Sequence, residues 1–303
     1  MSESQLVVLP LVAVLTIAAA AFDAVLAAAS AGSPGPWRAW DTPLRETARL
    51  LVRQRRSTLA SDRLLRRTGV LVLPVAAVLA AAVLPLGGAR AASDTSVGIV
   101  WFNAMEVAVW AGVWLAGWGV NSAYSLVGGY RMIAQGLAYE LPHMFALITV
   151  AVGAESLRFS DVVTAQHDLW FAVQMPVAFL VYLLSALAMA FWGPLSSPAG
   201  ADLAGGAMAE LSGADRLVFS AGRYAMLAVA AAAAVPMFLG GGAGPLLPAW
   251  LWALLKTLVV LAALLWTARR LPVLRMDRFM TFAWTALIPA TLLQLLVTGL
   301  VAL

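Results

Sequence analysis

The sequence predicts an all-α polytopic membrane protein, a bundle of about eight transmembrane helices with a basic amphipathic surface helix after the first. Three observations carry this. Hydrophobic residues make up 62% of the chain and charged residues only 11%, less than half of the roughly 25% found in soluble domains. The apolar residues fall into runs of about 20, the length that crosses a hydrocarbon core. The arginines gather in alternate connections between those runs, as the positive-inside rule requires of a multi-pass protein.

The runs lie near 6–29, 69–86, 97–118, 131–153, 168–193, 217–240, 247–268 and 278–301, and the whole chain 1–303 reads as a single membrane domain. Proline and glycine mark the gaps, at Ser33-Pro34-Gly35-Pro36, Gly87-Gly88, Gly193-Pro194 and Gly240-Gly241-Gly242. The second run is short and the fourth carries charge. The opening Met1-Ser2-Glu3-Ser4-Gln5 has no basic residue before the first apolar run, so no cleaved signal peptide is expected. Eight spans send sixteen arginines to one face and only Arg90 and Arg158 to the other. The arginine-rich face is expected in the cytoplasm of a bacterial plasma membrane, with both termini outside.

The connection after the first span is organised. Thr42 is expected to cap a surface helix over 42–56 whose first residue is Pro43. Leu44, Ala48 and Leu51 share one face at helical spacing, and Arg45, Arg49, Arg53 and Arg56 share another. Such a basic amphipathic helix lies at a membrane surface. Contact with lipid phosphates and docking of a partner subunit both fit it.

The chain has no cysteine and two histidines, His143 and His167, at different depths. Thiolate metal sites, cysteine-ligated iron–sulfur clusters and disulfides are excluded, and no metal or haem site is expected. The net charge of +4 comes from arginines between spans, which is no nucleic-acid footprint.

Ionisable residues at membrane depth cost roughly 2.5–3.5 kcal/mol each on insertion scales and are functional candidates by default. Four qualify: Glu106 in the third span, Glu140 and His143 in the fourth, and Lys256 in the seventh. Glu140 and His143 are three residues apart, hence on one helical face. Pro142 between them cannot donate to the carbonyl of Ala138, which frees an acceptor beside the carboxyl. A carboxyl held there with water in reach can take and release protons; a structural ion pair with an arginine or Lys256 is the competing reading. His143 alone reads as a satisfied core histidine, and Lys256 as the partner of an acid.

The stretch Gly117-Trp118-Gly119-Val120-Asn121-Ser122-Ala123-Tyr124-Ser125-Leu126-Val127-Gly128-Gly129-Tyr130-Arg131, continuing as Ala134-Gln135-Gly136-Leu137-Ala138-Tyr139-Glu140-Leu141-Pro142, resembles the H-type (subunit 1) family of bacterial NADH–quinone oxidoreductase, respiratory complex I. Leu157-Arg158-Phe159-Ser160-Asp161, Ser61-Asp62-Arg63, Leu84-Pro85, Leu271-Pro272 and Arg275-Met276-Asp277-Arg278 are similar to further segments of that family. The resemblance implies a membrane component that docks a redox arm, helps form a quinone chamber and couples electron transfer to proton translocation. It implies quinone as substrate, no covalent cofactor, and iron–sulfur and flavin centres in partner subunits. The implied partners are membrane lipid, hydrophilic redox-arm subunits and antiporter-like membrane subunits. Glu140, Glu106, Asp202, Glu210, Lys256 and Arg131 become the coupling residues, and Arg38 and Arg45 border the quinone's way in. The chain departs from the family pattern at 31–38, where only Gly35-Pro36 and Arg38 are reminiscent. It departs again at 202–210, where Asp202 and Glu210 survive from a longer acidic run. Those departures point to a divergent paralogue. A component of a related membrane-bound hydrogenase, a structural anchor without quinone or ion work, and a stand-alone transporter are the alternatives; the halves 1–150 and 151–303 show no repeat of the kind many transporters have.

Overall fold

A computed structural model describes residues 3–86 and 91–302; the expected Gly87-Gly88 break and Arg90 lie outside them. Twelve helices are described: α1 Glu3–Ser30, α2 Thr42–Val52, α3 Arg63–Ala81, α4 Gly98–Gly119, α5 Ala123–Gly153, α6 Phe159–Ala165, α7 Phe171–Gln174, α8 Pro176–Met189, α9 Gly213–Phe238, α10 Ala249–Arg270, α11 Met276–Phe282 and α12 Ile288–Ala302. No strand is present among the described residues. Seven helical stretches are long and apolar enough to cross a membrane, the last formed by α11 and α12 together. The run expected at 168–193 is divided into α7 and α8, with Pro176 opening the second piece; proline suits a first helical turn because its missing N–H has no partner there.

Helix ends follow local chemistry more than hydropathy. α3 begins at Arg63, ahead of its apolar run, because Asp62 accepts from Leu64 N at 2.9 Å and Leu65 N at 3.1 Å, an N-cap. α5 begins eight residues before its expected start, immediately after a turn at Asn121, whose φ is 50°. That turn is tied down by Ser61 Oγ, which donates to Gly119 O at 3.1 Å, and by Thr58 Oγ1, which donates to Val120 O. The surface helix starts at Thr42 after a short 3-10 turn, Pro36–Asp41, and no side chain caps it. It stops at Val52 rather than 56, because Ser212 Oγ accepts from Arg56 N at 2.7 Å and donates to Arg56 O at 3.1 Å, holding the chain extended. Within α2, Leu50 is buried against the bundle, while Leu44, Ala48 and Leu51 are exposed. Between α11 and α12 the helix widens into a π turn over Ala283–Leu287, just before Pro289, whose ring cannot continue the regular bonding pattern.

α9 is the central post. Every residue from Ala225 through Phe238 is buried, including five consecutive alanines at 230–234. Small side chains let α1, α3, α8 and α10 pack close around it. α3 and α4 cross more tightly still, since a Cβ added at Gly69 would stand 2.6 Å from Gly112 O. α1 and α12 are peripheral and expose long apolar faces, among them Leu9, Ile17, Leu293 and Leu296.

Gly69→Val is therefore expected to push α3 off α4 and cost about 1–3 kcal/mol. Thermal unfolding of the detergent-solubilised protein measures this, and an unchanged midpoint contradicts the tight crossing.

Candidate functional site

Three of the four ionisable side chains expected at membrane depth, Glu106, Glu140 and His143, converge between α4 and α5. Glu106 of α4 and His143 of α5 have no solvent exposure, and His143 Nε2 lies 3.1 Å from Glu106 Oε1. Asn103, one turn from Glu106, donates from Nδ2 to Glu140 Oε1 at 2.9 Å. In an antiparallel pair the partner of an earlier residue falls later on the facing helix. Here Asn103 reaches Glu140 and Glu106 reaches His143, so the bonds run diagonally and gather four polar groups into one cluster. Glu140 is half-buried, whereas His143 is sealed. Tyr182 of α8 packs over the imidazole at 5.5 Å between ring centres and donates to Ala230 O at 2.7 Å. Glu140 Oε2, His143 Nδ1 and the Tyr139 hydroxyl have no protein hydrogen-bond partner among the described residues.

One face of α5 continues this cluster toward the arginine-rich end. Gln135 Nε2 donates to Ala188 O at 2.7 Å, and Arg131 Nη1 stands 2.7 Å from Asp202 Oδ2. Arg131, Gln135, Tyr139 and His143 recur every four residues, a polar stripe about 18 Å long at 1.5 Å per residue. That spacing is visible in the sequence, but taking Arg131, Glu140 and His143 separately hides it and leaves Gln135 out. Asp202 sits in a loop of 3-10 turns pressed against α5 at Gly128, where bare backbone meets Ala207. Glu210 Oε1 accepts from Ser122 Oγ at 3.1 Å, just before α5 begins. Both surviving loop acids thus rest at the arginine-rich end of α5.

His143 is a buried core histidine, as expected, and its partner is Glu106. One expectation needs correction: among the described residues Lys256 pairs with no acid. Its Nζ donates to the carbonyls of Leu239, Gly241 and Ala243 at 2.6, 3.0 and 2.8 Å and lies 4.4 Å from the centre of the Trp170 ring. These carbonyls follow the C-terminus of α9, where bonding groups run out and a cation is favoured.

A cavity of about 360 Å³ opens between α1, α2 and α9. Ile17 and Ala20 of α1, Leu44 and Leu50 of α2, and Leu217 of α9 contribute to its apolar wall, with Asp23, Glu46, Arg216 and Tyr224 among the polar members. Arg45 stands outside this lining, paired with Asp41 at 2.6 Å, and Arg38 is exposed in the preceding turn. Sequence reasoning passed over Asp23, although between Gln5 and Ser30 it is the only charged residue.

Bundle and cluster together define an integral membrane protein that keeps acid, imidazole and amide groups in its interior. A family model described as NADH dehydrogenase matches residues 4–299. The NADH-quinone oxidoreductase H-subunit 2 of Geobacter sulfurreducens is 36% identical over 267 residues, 85% of this chain and 81% of that protein. The corresponding H-subunit 1 of Geobacter metallireducens is 34% identical over the same shares, and the H-subunit of Geobacillus kaustophilus 32% over 84% of this chain and 78% of its own. The chain belongs to this NADH dehydrogenase family, as the 117–142 stretch led one to expect.

Lys256→Met keeps the apolar stem but leaves three carbonyls without their donor. It is expected to cost about 2–3 kcal/mol, measured as a lowered unfolding midpoint; an unchanged midpoint means the lysine is not a fastener.

Proposed function

We propose that this chain is the membrane subunit of a quinone-reducing, ion-translocating complex, with redox centres in hydrophilic partners and antiporter-like subunits beside it in the membrane. The α4–α5 cluster carries the reading. Coupling needs a group that changes protonation away from bulk water, with polar neighbours to pass the proton on. Glu140 is half-buried and one bond from Asn103, while Glu106 is sealed and bonded to His143. Buried polar atoms lacking a protein partner are commonly held by water. Glu140 Oε2, Tyr139 Oη and His143 Nδ1 are such atoms, so we place a hydrated relay there. Arg131 with Asp202 and Glu210 with Ser122 stand at the cytoplasmic end of the same helix, where a docked redox arm would act on them. Lys256 serves as a fastener of the opposite end.

The cavity between α1, α2 and α9 has the volume of a small-molecule site and a mainly apolar wall interrupted by polar residues, which suits a lipophilic ring carrying an apolar tail. We assign it to quinone access, with Arg38 and Arg45 flanking at the surface. The family membership and the relatives' names support this reading. In this scheme α8 with α7 completes an eighth crossing, the arginine-rich face is cytoplasmic and both termini are outside.

Glu140→Gln and Glu106→Gln keep shape and remove the titratable proton. Each is expected to lower quinone-coupled proton translocation about tenfold or more, with the complex still assembled. Proton uptake by reconstituted vesicles measures this. Full pumping in both variants, and in the triple variant that adds Asp202→Asn to the two, would favour the structural-anchor reading.

A further inference from the structure

Along α1 the buried stripe runs through Val8, Val12, Leu15 and Ala19, spaced four and three apart, with Ala20 beside it, and Asp23 falls next on the same stripe. A leucine there would pack well against the bundle. Instead a carboxylate sits 4% exposed, with partners from two other helices. Arg269 of α10 donates to Asp23 Oδ1 from Nε at 2.8 Å and from Nη2 at 2.6 Å, a charge-assisted pair. Tyr224 of α9 donates to Oδ2 at 2.8 Å. Tyr224 is itself braced, its ring 4.8 Å from that of Trp192. Arg223 beside it lies 4.0 Å over the Trp192 ring and donates to the carbonyls of Ala190 and Phe191. Asp23 therefore grips a rigid assembly, while α1 itself turns most of its surface outward.

We propose that Asp23 is a positioning residue, a three-helix clamp with Arg269 and Tyr224 that holds α1 against α9 and α10 and so fixes the width of the quinone cavity. The inference rests on the assignment of that cavity to quinone. Apolar packing along a peripheral helix in lipid is weak, because lipid tails compete equally well for the same surface. A polar clamp is directional, and losing one partner leaves a buried charge behind. Asp23 and Tyr224 also line the cavity, so two of the clamp's three residues belong to its wall. Loosening it lets α1 drift outward, and a bound ring and tail lose contact on one side.

The test uses the whole complex with spin labels on Phe22→Cys and Trp266→Cys. Both positions are exposed on α1 and α10, outside the cavity, and this chain has no native thiol. In Asp23→Ala the inter-label distance is expected to lengthen and broaden. In the unlabelled variant the KM for a long-tailed quinone should rise about fivefold with kcat falling by less than about half. Asp23→Asn, of equal size, should give smaller changes of the same sign and serves if the alanine variant does not assemble. The exchanged pair Asp23→Arg with Arg269→Asp should move the distance back toward that of the parent. An unaltered distance in both single variants overturns the clamp. A lengthened distance with unaltered KM upholds the clamp but overturns the cavity's assignment to quinone.

Discussion

Glu106 and His143 meet 3.1 Å apart with no solvent exposure, at a depth where one unpaired charge costs roughly 2.5–3.5 kcal/mol on insertion scales. Neither residue would be held there without the other. The pairing requires α4 and α5 to pack with these faces together, and the short turn at Asn121 makes them antiparallel neighbours. The glycines on α4 serve the same end, since Gly112 admits α3 and Gly117 admits the start of α5. The polar cluster is thus a constraint on how the helices cross.

From that cluster the polar groups run one way along α5, through Gln135 to Arg131, and end on the loop that holds Asp202. The departure from the family's acidic run in that loop points to a divergent paralogue and admits a structural anchor among the alternatives. Yet both acids that remain are bonded to groups at the start of α5. The loop stays tied to the helix even though the charge around these contacts is thinner. The Asp202–Arg131 contact is partly exposed, more so at the aspartate, and adds little stability by itself.

Hydropathy made the fold legible because lipid imposes it: apolar runs of sufficient length become helices whatever else they contact. The arginine asymmetry was legible for the same reason. Ends such as Asp62 and Ser212 were not, since capping and tertiary bonds set them within regions that hydropathy reads as merely charged. Depth marked Glu106, Glu140, His143 and Lys256 as unusual, but not their partners, because partnership depends on helix rotation and crossing. Lys256 was expected to meet an acid and instead meets carbonyls released where α9 ends. Asp23 escaped notice because it lies near the end of its span, where an acid costs little unless the structure buries it.

The central claim is that the α4–α5 carboxyl groups titrate as the complex turns over. Redox-triggered infrared difference spectroscopy of the intact complex in ordinary and heavy water tests it most directly. The account predicts a carboxyl band that shifts on deuteration and disappears in Glu140→Gln. Difference spectra identical in the parent, Glu106→Gln and Glu140→Gln proteins would contradict it.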